Sequence, residues 1–528
     1  MNLHLFYSTI YAHNLKKHIK ICPTAKKRKL EEEEPHFLRN VNCGGYGQLL
    51  SSMSSVSSSS PSSSSSFEPV SSLWAQRIAC RVLRVHQSIF PAGQGRIEKD
   101  NKNICGDDDV SAITCQDIHD AIVLKDLSQA EIDAGIIKGF QSHAIKSGGD
   151  RHIHQIASLV GHLRQMGLFE RRNENENENE KQIISTPAGD ANPELATNGC
   201  TSCSTGTPSD KSKPLLFLEM GAGRGMLGLA ATGLSAACGI NTHFCMIDRA
   251  GSRSKADTAF RSITENADTS YIKLDEVNWC RLCCDLSHVT LPAVLDDDKY
   301  KEAKVVVIAK HLCGAGTDLA LKALEPIRHR VHSLLIATCC HGICDYQHYV
   351  GRDILRDIME GKDCDDKDST IPLFGPSEFD LLRRWCAATV ATREAKPRTC
   401  VDNTECLEDD DTETEHANVF VENDTTNDNS EKTSVSYVVR ELNLSCGIQG
   451  LGRACQRLID YGRSKYIQQQ IFQNDTERTI VNLSHYVAAD VTPQNAILWA
   501  YRKDKPKIES QSKIIEPAFK YRKLNQGT

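Results

Sequence analysis

Residues 215–230 read "LLFLEMGAGRGMLGLA", and the reading of this stretch decides the fold. Four apolar residues end in Glu219-Met220. Glycines then stand at 221, 223 and 225, and a second apolar stretch with helical spacing begins at Met226. A buried strand, a tight turn and the first turn of a helix fit that order, and the helix N-terminal amides would face whatever lies over the turn. Working outward, "HFCMIDRA" (243–250), "NWCRLCCDLSHV" (278–289), "AKVVVIAKHL" (303–312) and "HSLLIATCC" (332–340) are further short apolar runs, separated by segments long enough for crossover helices. Such alternation predicts a mainly parallel sheet covered by helices on both faces. Near the C-terminus, "ERTIVNLSHYV" (477–487) and "NAILWAYRK" (495–503) are two strands close enough to close the sheet as an antiparallel pair.

The chain has 528 residues, 40% of them hydrophobic, and 22 cysteines. Residues 1–22 carry His4, His13, Lys16, Lys17 and His18 and lack a clean apolar leader core. No apolar run reaches the ~20 residues of a membrane helix. The expectation is a soluble protein with reduced thiols, intracellular, cytoplasmic or nuclear, with no membrane partner. Residues 401–431 hold twelve Asp and Glu and no Lys or Arg, so setting them aside turns the net charge of -7 into +5. A basic face toward a polyanion is therefore allowed, though not diagnosed.

Low-complexity segments divide the chain. A partial finger-like segment at 1–30 is followed by a linker at 31–72 containing "SSMSSVSSSSPSSSSSF" (51–67). A helical region spans 73–170, ending in "DRHIHQIASLVGHLRQMGLFE" (150–170). A second linker, 171–213, opens on "RRNENENENE", and the α/β domain runs from 214 to 505 with a disordered acidic insert at about 401–431 and a basic tail at 506–528.

The chemistry concentrates at the predicted strand ends. Glu219 precedes the glycine turn, Asp248 ends the second strand and Asp285 ends the third. A dinucleotide pyrophosphate is ill served by a carboxylate at 219, whereas a sulfonium bearing an amino-acid moiety is well served. Asp248 is placed to accept ribose hydroxyls and Asp285 the adenine amino group. Together on consecutive strands, these acids and Gly221, Gly223 and Gly225 favour S-adenosylmethionine as cofactor in a class I, Rossmann-like methyltransferase sheet.

At the end of the fourth strand, Lys310, His311 and Asp318 lie in "VVVIAKHLCGAGTDLALKAL" (305–324). His311 suits a general base and Lys310 suits lowering an acceptor's pKa or holding a phosphate; the plainer alternative is that Lys310 pairs with an acid and His311 packs. The fifth strand delivers Cys339, Cys340, His341 and Cys344 in a C-C-H-x2-C order. That is too compressed for a four-ligand zinc site unless a ligand comes from elsewhere. An acceptor-pocket wall with His341 is the preferred reading, a metal site a minor one and a nucleophilic thiol the least of the three.

"FLEMGAGRGMLG" (217–228), "AKHLCGAGTDLAL" (309–321), "IATCCHGICDYQHYVG" (336–351), "GRACQRLIDYGRSKYI" (452–467) and "HYVAADVTPQNAILWA" (485–500) together resemble the eukaryotic tRNA 2′-O-methyltransferases that modify nucleotide four of the acceptor stem. The resemblance covers about 214–351 and 434–502, more faintly 140–170. It implies S-adenosylmethionine as donor, a ribose 2′-hydroxyl as acceptor and the tRNA acceptor stem as partner. Oligomeric state is not implied. Arg453, Arg457, Arg463 and Lys465 become candidate RNA contacts, with Arg463 preferred for placing a phosphate by bidentate contact. The resemblance also implies an N-terminal CHHC zinc finger. Only its second half is matched, by "YAHNLKKHIKIC" (11–22) with His18 and Cys22, so zinc is expected there only if further ligands lie upstream. Two rival functions share these motifs: a methyltransferase of small molecules or proteins, and an RNA-binding scaffold with a degenerate pocket.

Overall fold

The computed structural model describes residues 4–5, 8–9, 23–43, 71–91, 110–120, 150–169, 213–249, 277–361, 374–391, 431–473, 475, 477–489 and 491–503. His18 and Cys22, the low-complexity segments at 44–70 and 170–212, the acidic insert and the tail beyond 503 lie outside them.

Seven strands form one sheet: β1 (Leu215–Met220), β2 (Thr242–Asp248), β3 (Asn278–Cys283), β4 (Lys304–Lys310), β5 (Val331–Ala337), β6 (Thr479–His485) and β7 (Ala496–Arg502). Their order is β3-β2-β1-β4-β5-β7-β6. The first five are mutually parallel, and β7 joins β5 antiparallel while pairing antiparallel with β6. This is the predicted Rossmann-like α/β sheet with its closing antiparallel pair.

Every residue of β1 is buried, as a central parallel strand with both faces covered requires. Alternate residues serve opposite cores. Leu216 and Leu218 pack with Val305, Val307, Leu334 and Ile336 beneath helix α4 (Gly316–Leu324). Leu215 and Phe217 pack with Phe244, Val306 and Leu335 beneath α2 (Asp150–Gln165) and α3 (Met226–Ala237).

A third core lies beyond the sheet. Helix α1 (Ser72–Ile89) packs through Ile78, Ala79 and Val82 into a cluster with α5 (Arg352–Glu360), α6 (Pro376–Ala391) and α7 (Gly447–Tyr466). Ser71 caps α1 by accepting from the Trp74 amide at 3.2 Å. Segments on either side of the Ser-rich stretch therefore both dock on the α/β core, α1 through these helices and residues 36–42 beside β3. Asn42 Nδ2 donates to the carbonyls of Leu286 and Val289, at 2.6 and 2.9 Å. Among the described residues, no helix is long and apolar enough to cross a membrane.

Candidate active site at the carboxyl rim of the sheet

The chain turns to one side of the sheet after β1 and to the other after β4, and these two strands are neighbours. Their carboxyl ends therefore form the crevice where open α/β sheets bind ligands. Three positive φ angles, 63° at Gly221, 51° at Gly223 and 70° at Gly225, carry β1 into α3. A side chain would be strained at each.

Of the predicted cofactor acids, Asp248 contacts this turn directly, Glu219 lies just before it and Asp285 follows the strand beyond β2. Asp248 Oδ2 accepts from the Gly223 amide at 2.8 Å, and Arg281 Nη1 donates to the Gly223 carbonyl at 3.0 Å, so β2 and β3 hold the turn between them. Glu219 is 2% exposed and accepts from the Gly228 amide at 3.1 Å. Burial pushes its carboxyl up to about 8 despite the opposing Gly228 N–H, Arg281 and Lys310. Asp285 stands two residues past β3, its Oδ1 accepting from the Ser287 amide at 2.9 Å and hydroxyl at 2.8 Å. The next turn is braced by the 36–42 segment, through the Asn40 amide on His288 Nδ1 at 3.0 Å. The Asp248 carboxylate already occupies the Gly223 amide that a pyrophosphate would use, and the buried Glu219 carboxyl beside the turn suits a cationic end of a hydroxyl-rich ligand. A methyl carbon added at Gly223 would meet nothing within 4 Å, so the space over the turn is open. The residues present fit S-adenosylmethionine.

Across the crevice, Lys310 ends β4 half-buried, with Nζ 3.3 Å from His152 Nδ1 on α2. His311 follows in the left-handed region, φ 68°, and Cys340 at the matching end of β5 has φ 47°. Two non-glycine residues so strained, on adjacent strand ends, carry the kind of cost that clusters at functional rims.

Asp318 and Arg463 are brought together, but inside the protein. Asp318 is 0% and Arg463 1% exposed. Arg463 Nε and Nη2 donate to the two Asp318 oxygens at 3.1 and 2.7 Å, Nη1 donates to Asp460 Oδ1 at 3.1 Å, and Nη2 lies 3.2 Å from Cys344 Sγ. Burial works against the guanidinium charge, but Asp318, Cys344 and Asp460 more than offset it. The bidentate contact expected to a phosphate is thus made to an internal carboxylate. Arg457 is likewise internal, hydrogen-bonded to His485, while Arg453 and Lys465 are half-buried.

His341, 3% exposed, places Nε2 2.9 Å from Asp460 Oδ1, and Thr338 donates to Asp460 Oδ2 at 2.8 Å. Burial alone would raise the Asp460 carboxyl; His341, Arg463 and Thr338 reverse that and hold it at about 2. Asp318, Arg463, Asp460 and His341 therefore form one buried chain tying α4 and α7 to the end of β5. Asp460 and Thr338 were not singled out from sequence. The available signal was Asp460 and Arg463 at i and i+3, which neighbour each other on a helix.

The cysteines separate. Cys344 turns to Arg463 and to the Gly314 carbonyl, at 3.2 and 3.8 Å. Cys339 and Cys340 instead meet Cys313 from the β4 end, with Cys313 Sγ 3.7 and 3.3 Å from their sulfurs. The sulfur contacts with Cys339 and Cys340 lower Cys313 to about 3 against its burial, and the contact with Cys313 pushes Cys340 up to about 12.

The family profile described as methyltransferase TRM13 matches residues 154–501, which includes every strand of the sheet. The chain is 26% identical over 319 residues to the tRNA:m(4)X modification enzyme TRM13 of Saccharomyces cerevisiae, covering 56% of this chain and 59% of that protein. It is 25% identical over 337 residues to the Homo sapiens tRNA:m(4)X modification enzyme TRM13 homolog, covering 54% and 59%. The matches thus span little more than half the length of these curated relatives. The profile match, unlike the pairwise ones, takes in most of the chain and both halves of the rim, and on it the chain belongs to the TRM13 methyltransferase family.

Proposed function

We propose that this protein methylates tRNA from S-adenosylmethionine, at the ribose 2′-hydroxyl of nucleotide four in the acceptor stem. The observation that carries the reading is the juxtaposition of a glycine turn, held by Asp248 and preceded by the buried Glu219, with the half-exposed Lys310–His311 pair at the end of the neighbouring strand. Membership of the TRM13 family, whose named relatives are tRNA:m(4)X modification enzymes, supports it.

When bound, S-adenosylmethionine supplies a methyl group on a sulfonium, a good leaving group that needs no covalent enzyme intermediate. Glu219 would hold its ammonium end and Asp248 its ribose hydroxyls, while Asp285 would accept from its adenine. The neighbouring carboxyl ends of β1 and β4 would hold donor and acceptor side by side, so that transfer needs little reorientation. His311 takes the hydroxyl proton and Lys310 stabilises the oxygen as it loses it. Asp318, Arg463, Asp460 and His341 act as positioning residues that hold the β4 and β5 ends in place. A stem position is reached through phosphates and 2′-hydroxyls, as duplex RNA is generally read.

The test is transfer of labelled methyl to unmodified tRNA followed by alkaline hydrolysis. Methylation of the 2′-oxygen removes the nucleophile of alkaline cleavage, so the expected label sits in an alkali-resistant dinucleotide containing nucleotide four, and His311→Ala loses most of the rate. Label in an alkali-released, base-modified mononucleotide, or no label in RNA, overturns the proposal.

A further inference from the structure

Cys313, Cys339 and Cys340 present three sulfur atoms that all lie within 4.8 Å of one another. They come from two strand ends, with 25 residues of chain between the β4 member and the β5 pair. Around zinc, with Zn–S near 2.3 Å, tetrahedral geometry sets neighbouring sulfurs about 3.8 Å apart. Cys313 Sγ lies 3.7 Å from Cys339 and 3.3 Å from Cys340, close to that spacing before any ion draws the thiolates into place.

The surroundings suit three ligands and an open fourth position. Cys339 is buried, Cys340 half-buried and Cys313 exposed, so the triangle is anchored on its β5 side and faces solvent on the other. The backbone fixes it: Cys340 is held in the left-handed region, φ 47°, and its amide donates to Gln494 Oε1 at 3.2 Å. The neighbours that could compete are committed elsewhere, Cys344 to Arg463 and the Gly314 carbonyl, His341 to Asp460.

We propose that Cys313, Cys339 and Cys340 form a zinc site that ties the β4 end to the β5 end and leaves one coordination position open to solvent. It shares no residue with the N-terminal finger that the resemblance implies, and does not depend on the RNA substrate. Three soft thiolates select zinc over magnesium or calcium, which prefer oxygen donors. Thiols that are protonated before binding give up their protons to solvent as the metal–sulfur bonds form. No residue changes oxidation state.

Cobalt(II) titration of the reduced, chelator-stripped full chain tests the site. A Cys22→Ala background removes a predicted finger ligand from the count. The expected result is intense sulfur-to-cobalt charge-transfer absorption saturating at one equivalent, displaced by zinc, and lost in Cys313→Ser, whose exposed position leaves the fold undisturbed. In the parent chain, one equivalent of zinc should slow alkylation of Cys313, Cys339 and Cys340 together by tenfold or more while leaving Cys80 unchanged. Absence of the band in the parent, retention of the full band in Cys313→Ser, or alkylation rates that ignore zinc overturns the proposal. So does oxidation to a Cys313–Cys340 disulfide by a reduced chain that takes up no cobalt. A chain that binds cobalt this way but leaves tRNA unlabelled keeps the metal site and refutes only the methylation.

Discussion

Replacing Glu219 by Gln should make the protein's stability less dependent on pH, and the size of the change follows from the carboxyl group's position. Glu219 lies under α3, accepting a hydrogen bond from the Gly228 amide, and burial moves its pKa from 4.5 to about 8. Between those values the folded protein holds a proton that the unfolded chain has released, so stability falls as pH rises. The contribution is whole below pH 4.5 and lost progressively up to pH 8. At ~1.4 kcal/mol per pH unit the full excursion is of order 5 kcal/mol. The glutamine side chain of the variant would be neutral in both states, and its amide oxygen can still accept from Gly228. The parent's own curve is not sufficient, because buried His86, pushed down to about 4, adds stability as pH rises from 4 to 6.5 and masks the slope. The difference between variant and parent cancels that residue. Urea denaturation at matched ionic strength and without added cofactor, at pH 5, 6, 7 and 8, should show Glu219→Gln gaining ~1.4 kcal/mol on the parent per pH unit. A difference constant to within ~1 kcal/mol across that range would refute the reasoning, and with it the idea that the pocket floor holds a neutral acid until a cation arrives.

Arg463→Met should cost ~3–5 kcal/mol of stability, because it strands Asp318 and Asp460 in the interior without their cation. Urea denaturation reads that cost, and the salt dependence of tRNA binding should be unchanged; a loss of about one unit of slope would return Arg463 to the RNA surface. At Gly462, a β-carbon would fall 2.0 Å from Tyr349 Oη and 3.3 Å from Gly351 Cα. Tyr349 is fixed by its hydrogen bond to the Ile459 carbonyl at 2.8 Å, so Gly462→Ala should destabilise by roughly 1–3 kcal/mol and lower Tm. An unchanged Tm would mean that Tyr349 moves freely.

What could be read in the sequence, and what could not, divides along the range of the interactions. The central strands were legible because each is a short apolar run whose burial on two faces leaves a local mark. The glycine turn was legible because positive φ at 221, 223 and 225 restricts residue type locally. Two basic residues of α7, Arg457 and Arg463, lie inside the protein for a physical reason. An amphipathic helix is expected to send its charges to solvent, but α7 lies between the sheet edge and the layer of α1 and α6, leaving it little solvent face. Leu451, Ala454, Cys455 and Leu458 face the helical core, and the charged inward positions, Arg457, Asp460 and Arg463, must find partners inside the protein. They do so only because His485, His341 and Asp318 arrive from elsewhere in the chain. The same holds for the thiols. Within "CCHGIC" the residues compete for one small space and make no convincing metal site, and adding Cys313 from the neighbouring strand makes the triangle. A parallel sheet places successive strand ends side by side, so residues separated by a whole crossover become nearest neighbours. The pairings that matter at this rim therefore depend on which strands are adjacent, and strand order is a property of the assembled sheet that no single motif carries.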